Sequence, residues 1–290
     1  MRERFAPERR IDLRSAKDKV DTMPRNTTAE PRARSDDRYP PEALYHYQRV
    51  DSPQFMERLR HTLLHHQVYF SSPASFNDPF DCKVRPSFDG SPDQILAYLT
   101  RIAQMRSGAD ADLPRQQVEG ARADPEYFEK VYSEFLRTGV PGLGVYCLSE
   151  RPDDILMWSH YADSHRGICL FFAANYIFSD CAVERVNYPR NNKYPNFNFF
   201  TASKEEQIEA ILLTKAKHWE YEREWRVIDI CGPGLRDIHA EWLAGLIVGC
   251  ETSQAKVAEI RRLASRREPA LQLFRASQKP REFALSIERI

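Results

Sequence analysis

The residues of this chain best equipped for chemistry stand in four short clusters. The most charged is Trp219-Glu220-Tyr221-Glu222-Arg223-Glu224-Trp225-Arg226. Read as a strand, it sets Glu220, Glu222, Glu224 and Arg226 on one face and Trp219, Tyr221 and Trp225 on the other. Carboxylates then crowd together with Arg226 as the balancing cation. A glutamate held near like charge and aromatic walls has a reason for a raised pKa, which is what acid–base catalysis needs. The same pattern also suits a solvated charged edge whose aromatic face is core.

The other three clusters are mixed aromatic and polar. Met157-Trp158-Ser159-His160-Tyr161 is followed by His165-Arg166-Gly167. On a helix Trp158 and Tyr161 share a face; packing accounts for Trp158, and Ser159 and His160 are left for a site. In Tyr45-His46-Tyr47 the two tyrosines share one strand face and His46 takes the other. That arrangement reads as aromatic packing with a surface histidine, or as a ligand-facing polar group flanked by stacking rings. The last cluster runs from Tyr69-Phe70-Ser71-Ser72-Pro73 to Phe76-Asn77-Asp78-Pro79-Phe80-Asp81. Asn77 and Asp78 suit a tight turn ahead of Pro79, and Tyr69, Ser71, Asn77 and Asp78 could also converge on a ligand, since strand-exit loops often line sites.

The elements that must position these clusters follow from periodicity and punctuation. Strands are expected at 44–47, 68–71, 144–148, 167–172, 183–188, 224–230, 243–248, 271–275 and 283–287. Helices are expected after Ser52-Pro53, after Ser91-Pro92 (with Ile95, Leu96, Leu99 and Ile102 on one face), after Asp124-Pro125 (with Tyr127, Phe128, Val131 and Phe135 on one face, ended by Gly139), near 154–161, at 204–217 behind the capping box Ser203/Glu206, and at 254–265. Strands and helices mix without strict alternation, so the fold class is α+β: a single domain over 41–290, with a central mixed or antiparallel sheet, flanking helices and a helical insertion at about 91–139. Residues 1–40 carry 11 Lys/Arg and 8 Asp/Glu with Phe5 and Tyr39 as their aromatics. They read as a disordered leader, since so little apolar surface cannot offset the entropy of ordering.

Composition bounds the rest. The 290 residues include 42 Lys+Arg and 42 Asp+Glu, so net charge is zero and there is no global electrostatic footprint for nucleic acid. No apolar run is long enough to span a membrane, and the start, Met1-Arg2-Glu3-Arg4, lacks the apolar stretch of a secretory signal; a cytoplasmic location without membrane partners is the expectation. The six cysteines (82, 147, 169, 181, 231 and 250) form no C-x-x-C pair and fit buried, reduced thiols better than a zinc site.

In order, the clusters resemble a bacterial family known as domain of unknown function twenty-nine seventy-one. Its words L-Y-x-Y, Y-F-S-x-P-x-x-F-N-D-P-F-D, I-L-M-W-S-H-Y-A-x-x-H-x-G and W-x-Y-E-x-E-W-R stand here at Leu44 to Tyr47, Tyr69 to Asp81, Ile155 to Gly167 and Trp219 to Arg226. The resemblance spans roughly 44–288.

The layout is also similar to the ADP-ribosyltransferase fold. That similarity implies NAD as substrate and no metal. Glu222-x-Glu224 resembles the Glu/Gln-x-Glu element, with Glu224 as the catalytic glutamate. His46 matches the first-strand His or Arg that contacts the nicotinamide-side ribose. Tyr69 and Ser71 match second-strand residues, and Tyr69 or Tyr47 would stack on nicotinamide. No Ser-Thr-Ser follows the second strand, a departure from the superfamily's pattern. Tyr45, Asn77, Asp78, Trp158, Ser159, His160, Tyr161 and Arg226 would line the pocket or orient Glu224.

The leading expectation is therefore an NAD-consuming ADP-ribosyltransferase or NAD glycohydrolase, acting on nucleic acid or protein, with a toxin or phage-defence setting implied by the resemblance. Two others stand beside it. One is a nuclease or base-excising glycosylase using Glu222, Glu224, His160 and Asp78. The other is a non-catalytic sensor or interaction module.

Overall fold

The protein is described from a computed structural model that covers residues 42–104, 116–120, 124, 126–173 and 183–290. The expected leader at 1–40 and most of the connection expected at 107–123 lie outside the described residues. In chain order the elements are β1 (Ala43–Gln48), α1 (Pro53–Leu64), β2 (Gln67–Phe70), α2 (Pro92–Gln104), α3 (Tyr127–Glu134), β3 (Gly144–Ser149), α4 (Ile155–Tyr161), β4 (Ile168–Ala173), β5 (Val183–Arg185), α5 (Lys204–Leu212), β6 (Glu224–Asp229), β7 (Gly234–Asp237), β8 (Leu243–Val248), α6 (Gln254–Ala264), β9 (Gln272–Gln278) and β10 (Leu285–Arg289).

The fold is α+β. Eight strands form one mixed sheet in the order β10-β9-β8-β4-β1-β3-β6-β5. The β8–β9 pair is parallel, the geometry its crossover helix α6 requires, and the other pairs are antiparallel. A two-stranded ribbon, β2 with β7, joins it at β3 through the Ser71–Val145 bridge. The largest core cluster lies on one face of the main sheet, where Leu44, Tyr146, Leu148, Leu170, Trp225, Val227 and Leu246 meet Leu59 and Leu63 of α1 and Ile260 of α6. Among the described residues no helix is long and apolar enough to cross a membrane.

The local chemistry explains the element ends. Ser52 caps α1 with Pro53 at its first position. At α5 the capping box closes reciprocally: Glu206 N–H donates to Ser203 Oγ (3.0 Å) and Ser203 N–H donates to Glu206 Oε2 (2.7 Å). Asp154 caps α4 by accepting from Leu156 N and Met157 N. The chain then reverses from α4 into β4 through three consecutive residues with positive φ, Asp163, Ser164 and His165. Gly167 ends this turn against β1, where a Cβ would stand 2.4 Å from the Gln48 carbonyl oxygen. Glycine in the H-x-G word is thus a close-approach requirement.

Several expectations are corrected. The helix expected to run to 217 stops at Leu212, and β7 had no counterpart in the pattern reading. In α3 the buried side chains are Phe128 and Tyr132, whereas Val131 and, just past the helix, Phe135 are exposed. The segment 217–222 is a 3₁₀ turn and not a strand, ended by Arg223 in the left-handed region (φ 43°), so β6 begins only at Glu224. Glu220 therefore does not share the face of Glu224; it is exposed and pairs with Lys217. Of the five described cysteines, all reduced, Cys82 and Cys169 are buried, Cys147 and Cys250 are partly buried and Cys231 is exposed.

Leu170 sits at the centre of the main core with no exposed surface. Leu170→Ala should lower unfolding free energy by about 2–5 kcal/mol, the range for a large-to-small change in a core that cannot fully collapse. Urea denaturation followed by circular dichroism measures it, and a loss under ~1 kcal/mol would contradict the packing described.

Candidate active site

The strand register builds the site. Tyr45 of β1 stands opposite Ser149 of β3, and Ser149 and Cys147 stand opposite Glu224 and Arg226 of β6. Side chains alternate along each strand, so Tyr45, Tyr47, Cys147, Ser149, Glu224 and Arg226 fall on one face, away from the main core. Over that face lie Phe76, Asn77 and Asp81 from the loop after β2, Met157 and Tyr161 from α4, Lys215 after α5, and Glu222. Together they enclose a pocket of about 100 Å³.

Its floor is a buried ionic network. The Arg226 guanidinium makes two forks. One reaches Glu224 (Nε to Oε1 2.8 Å, Nη2 to Oε2 3.1 Å) and the other Asp81 (Nη1 to Oδ1 3.1 Å, Nη2 to Oδ2 2.6 Å). Nη1 also donates to the Leu212 carbonyl at 2.7 Å, and the Phe76 ring centroid lies 5.2 Å from the guanidinium carbon. Lys215 Nζ donates to Glu222 Oε2 at 2.5 Å and to Glu224 Oε2 at 3.3 Å, with Asp81 Oδ2 at 3.7 Å. The second Glu222 oxygen accepts from Tyr161 OH at 2.5 Å. Two peptide contacts hold the carboxylates' backbone: Ser149 Oγ donates to the Glu222 carbonyl (2.6 Å), and Glu224 N–H donates to Tyr188 OH (3.0 Å).

The two glutamates are set to opposite states. Burial raises the Glu222 pKa, Glu224 adds to it, and Lys215 and Tyr161 only partly offset them, leaving it at about 7. Burial also acts against Glu224 as an anion, but Arg226 and then Lys215 outweigh it and hold the carboxyl well below the usual range. Lys215 is desolvated, yet Glu224 and Glu222 raise its pKa and keep it charged. The raised pKa expected of this cluster therefore belongs to Glu222, the residue without an arginine fork.

Of the residues singled out in the sequence, the pocket gathers Tyr45, Tyr47, His46, Asn77, Tyr161, Glu222, Glu224 and Arg226. His46 borders it, but its ring stacks on Tyr146 (4.3 Å between centroids) and Nδ1 donates to the Cys147 carbonyl at 2.8 Å. Burial lowers its pKa to about 4, so it is neutral at neutral pH. The tyrosines, not the histidine, face the site. Asn77 Oδ1 lies 3.3 Å from the Tyr161 hydroxyl, whose proton goes to Glu222.

The others are placed elsewhere. Trp158 is fully buried, edge-on to Tyr47, with Nε1 donating to the Pro152 carbonyl. Asp78 is buried and closes a turn by accepting from Phe80 N–H. Tyr69 lies on the β2–β7 ribbon beneath the Arg58 guanidinium (3.7 Å), and Ser71 bridges to Val145. Ser159 and His160 are exposed. The set Glu222, Glu224, His160 and Asp78 is thus not assembled in one place.

Lys215, Asp81, Ser149 and Cys147 were missed. Asp81 closes the word F-N-D-P-F-D and could have been read as the missing partner for Arg226. Lys215 lies just past α5 and carries no local signal at all. Among the described residues no group of three or more His, Cys, Asp or Glu side chains could hold a metal ion.

Residues 157–227 match the family model described as Protein of unknown function (DUF2971). The family resemblance is borne out there, across the word ending at Gly167 and the word ending at Arg226. The DUF2971 stretch contributes Met157, Tyr161, Lys215, Glu222, Glu224 and Arg226 to the pocket, so the matched segment supplies most of its charge. No curated protein and no solved structure matches the chain.

Arg226 is 1 % exposed and joins two buried carboxylates. Arg226→Met should destabilise the fold by about 3–5 kcal/mol by leaving both charges without their partner, as urea unfolding would show. Glu222 supplies a pH signature. Native protein keeps its proton up to about pH 7, while an unperturbed glutamate loses it near 4.5. Its contribution is complete below the lower value and is lost as pH rises through the higher one. Glu224 has the opposite sign, stabilising above its unfolded value and less as pH falls. The stability of wild type relative to Glu222→Gln should therefore decline between pH 4.5 and 7; a difference flat across that window would contradict the assignment.

Proposed function

We propose that this pocket cleaves the glycosidic bond between nicotinamide and ribose in NAD, passing ADP-ribose to water or to a nucleophile on nucleic acid or protein. The observation that carries this reading is the charge balance of the pocket. Asp81, Glu222 and Glu224 face Lys215 and Arg226, so with all groups ionised the site holds one negative charge in excess, inside aromatic walls. Such a site favours a cation. Nicotinamide carries positive charge in NAD, and as the C–N bond breaks its electron pair leaves with nicotinamide and positive charge develops on the sugar. A fixed anion close to that charge lowers the barrier without reorganising.

The two glutamates divide the work. Glu224, held ionised by the Arg226 fork, is the permanent negative charge. Glu222, with a pKa near neutrality, accepts the proton that water or the acceptor releases as the new bond to the sugar forms. Tyr161 and Lys215 aim its two oxygens. Tyr45 and Tyr47 take the wall positions assigned to stacking. His46 acts through the backbone of β3, whose Cys147 carbonyl it holds. The toxin or phage-defence setting belongs to this proposal through the resemblance that suggests it.

Incubation with NAD should release nicotinamide, measured by chromatography with and without cell extract as a source of acceptors. Glu222→Gln and Glu224→Gln should each reduce release about 10²- to 10⁴-fold. The wild-type rate should rise with pH through a group titrating near 7, and that step should vanish in residual Glu222→Gln activity. Absence of release under both conditions, or full activity in both variants, would overturn the reading.

A further inference from the structure

The pocket is too small for a dinucleotide. About 100 Å³ is the scale of a single ring, well below the ~300–1,000 Å³ of sites that enclose a whole small molecule. If one ring of the ligand enters, the remainder must lie on the adjoining surface. That surface carries an aromatic group the catalytic reading does not use. His160, the last α4 residue before Tyr161, stands with Trp219 and Tyr221 of the 3₁₀ turn. The ring centroids are 6.1 Å (His160–Trp219), 6.4 Å (His160–Tyr221) and 6.0 Å (Trp219–Tyr221) apart. His160 is exposed, and Trp219 and Tyr221 are partly buried, each keeping part of its surface open to solvent.

The group is tied directly to the chemistry. Tyr221 precedes Glu222 in the chain and His160 precedes Tyr161. Lys215 Nζ lies 5.1 Å from the Trp219 ring centroid while donating to Glu222. The same cation thus touches the acid–base residue on one side and the aromatic group on the other.

We propose that the Trp219 ring is a stacking platform for the purine base of a ribonucleotide ligand whose other ring occupies the pocket, with Tyr221 and His160, inclined to it by 43° and 69°, standing beside the base. This rests on the NAD reading for the identity of the second ring. The occupant follows from chemistry: flat heteroaromatic rings gain from stacking on the solvent-reachable part of a Trp ring.

Trp219 offers its own readout. The other three tryptophans, Trp158, Trp225 and Trp242, are buried, so quenching of the accessible indole reports Trp219. Two probes separate the halves of the ligand: 5′-AMP for the platform and nicotinamide mononucleotide for the pocket. AMP should quench the tryptophan fluorescence of wild type. Trp219→Leu should weaken AMP binding, followed by calorimetry, about tenfold and leave nicotinamide mononucleotide binding unchanged. Trp219→Phe, which keeps a ring, should restore most AMP affinity.

No quench by millimolar AMP, equal AMP affinity in Trp219→Leu, or a quench by a short single-stranded oligonucleotide but not by AMP would overturn the platform. The two proposals fail separately. Nicotinamide release that is insensitive to Trp219→Leu removes the platform alone. AMP stacking without any nicotinamide release leaves the platform as a purine-ribonucleotide site and removes the NAD reaction.

Discussion

The site depends on a buried guanidinium with a carboxylate on each side. Arg226 comes from the sheet, Asp81 from a loop after β2, and Glu224 from the strand that carries Arg226 itself. Charges in the protein interior are costly to desolvate, and they are tolerated when pairing and hydrogen bonding satisfy them. Arginine suits this position because its planar fork can serve two carboxylates bidentately and still donate to the Leu212 carbonyl. A lysine, with its point charge, could not. The arrangement ties the loop, the end of α5 and the sheet together at one point, and it sets the electrostatic frame in which Glu222 titrates.

Glu222 and Glu224 show how two residues of one type, two positions apart, reach opposite states. In an extended strand they would point the same way and share one environment. Here Arg223 takes a left-handed conformation between them, so Glu224 follows the sheet while Glu222 hangs from the preceding turn. Glu224 is held ionised by the arginine fork. Glu222 meets Lys215 and a phenol, which orient it without fully offsetting its burial. The separation of pKa values that acid–base work needs thus comes from the unequal pairing of two buried carboxylates, Glu224 with Arg226 and Glu222 without it.

Much of the fold was legible in the sequence, because strand and helix signals are local. The capping box at Ser203/Glu206, the Ser52-Pro53 start and the strands around Leu44, Cys147, Leu170 and Leu246 depend on residues within a few positions of each other. Where the reading went astray, distant packing had decided. Val131 and Phe135 share an apolar stripe by periodicity, yet α3 ends before Phe135 and turns Tyr132 inward, where its hydroxyl donates to the Val84 carbonyl. The word W-x-Y-E-x-E-W-R alternates like a strand over its whole length, yet its first half is a 3₁₀ turn.

By itself the sequence determined the fold class, the family words and a set of aromatic and acidic residues capable of chemistry. Types, spacing and periodicity are properties of the chain, and they survive without coordinates. The tertiary structure decided which of those residues meet. It turned the Tyr45 and Tyr47 rings into the pocket and the His46 ring into the core, kept Tyr69 and Asp78 out, and brought in Asp81 and Lys215. The physical reason is register. A pocket face is the product of several strands paired in one alignment and one loop folded over them, and contacts such as Asp81–Arg226 and Tyr161–Glu222 span tens of residues whose pairing no local pattern records.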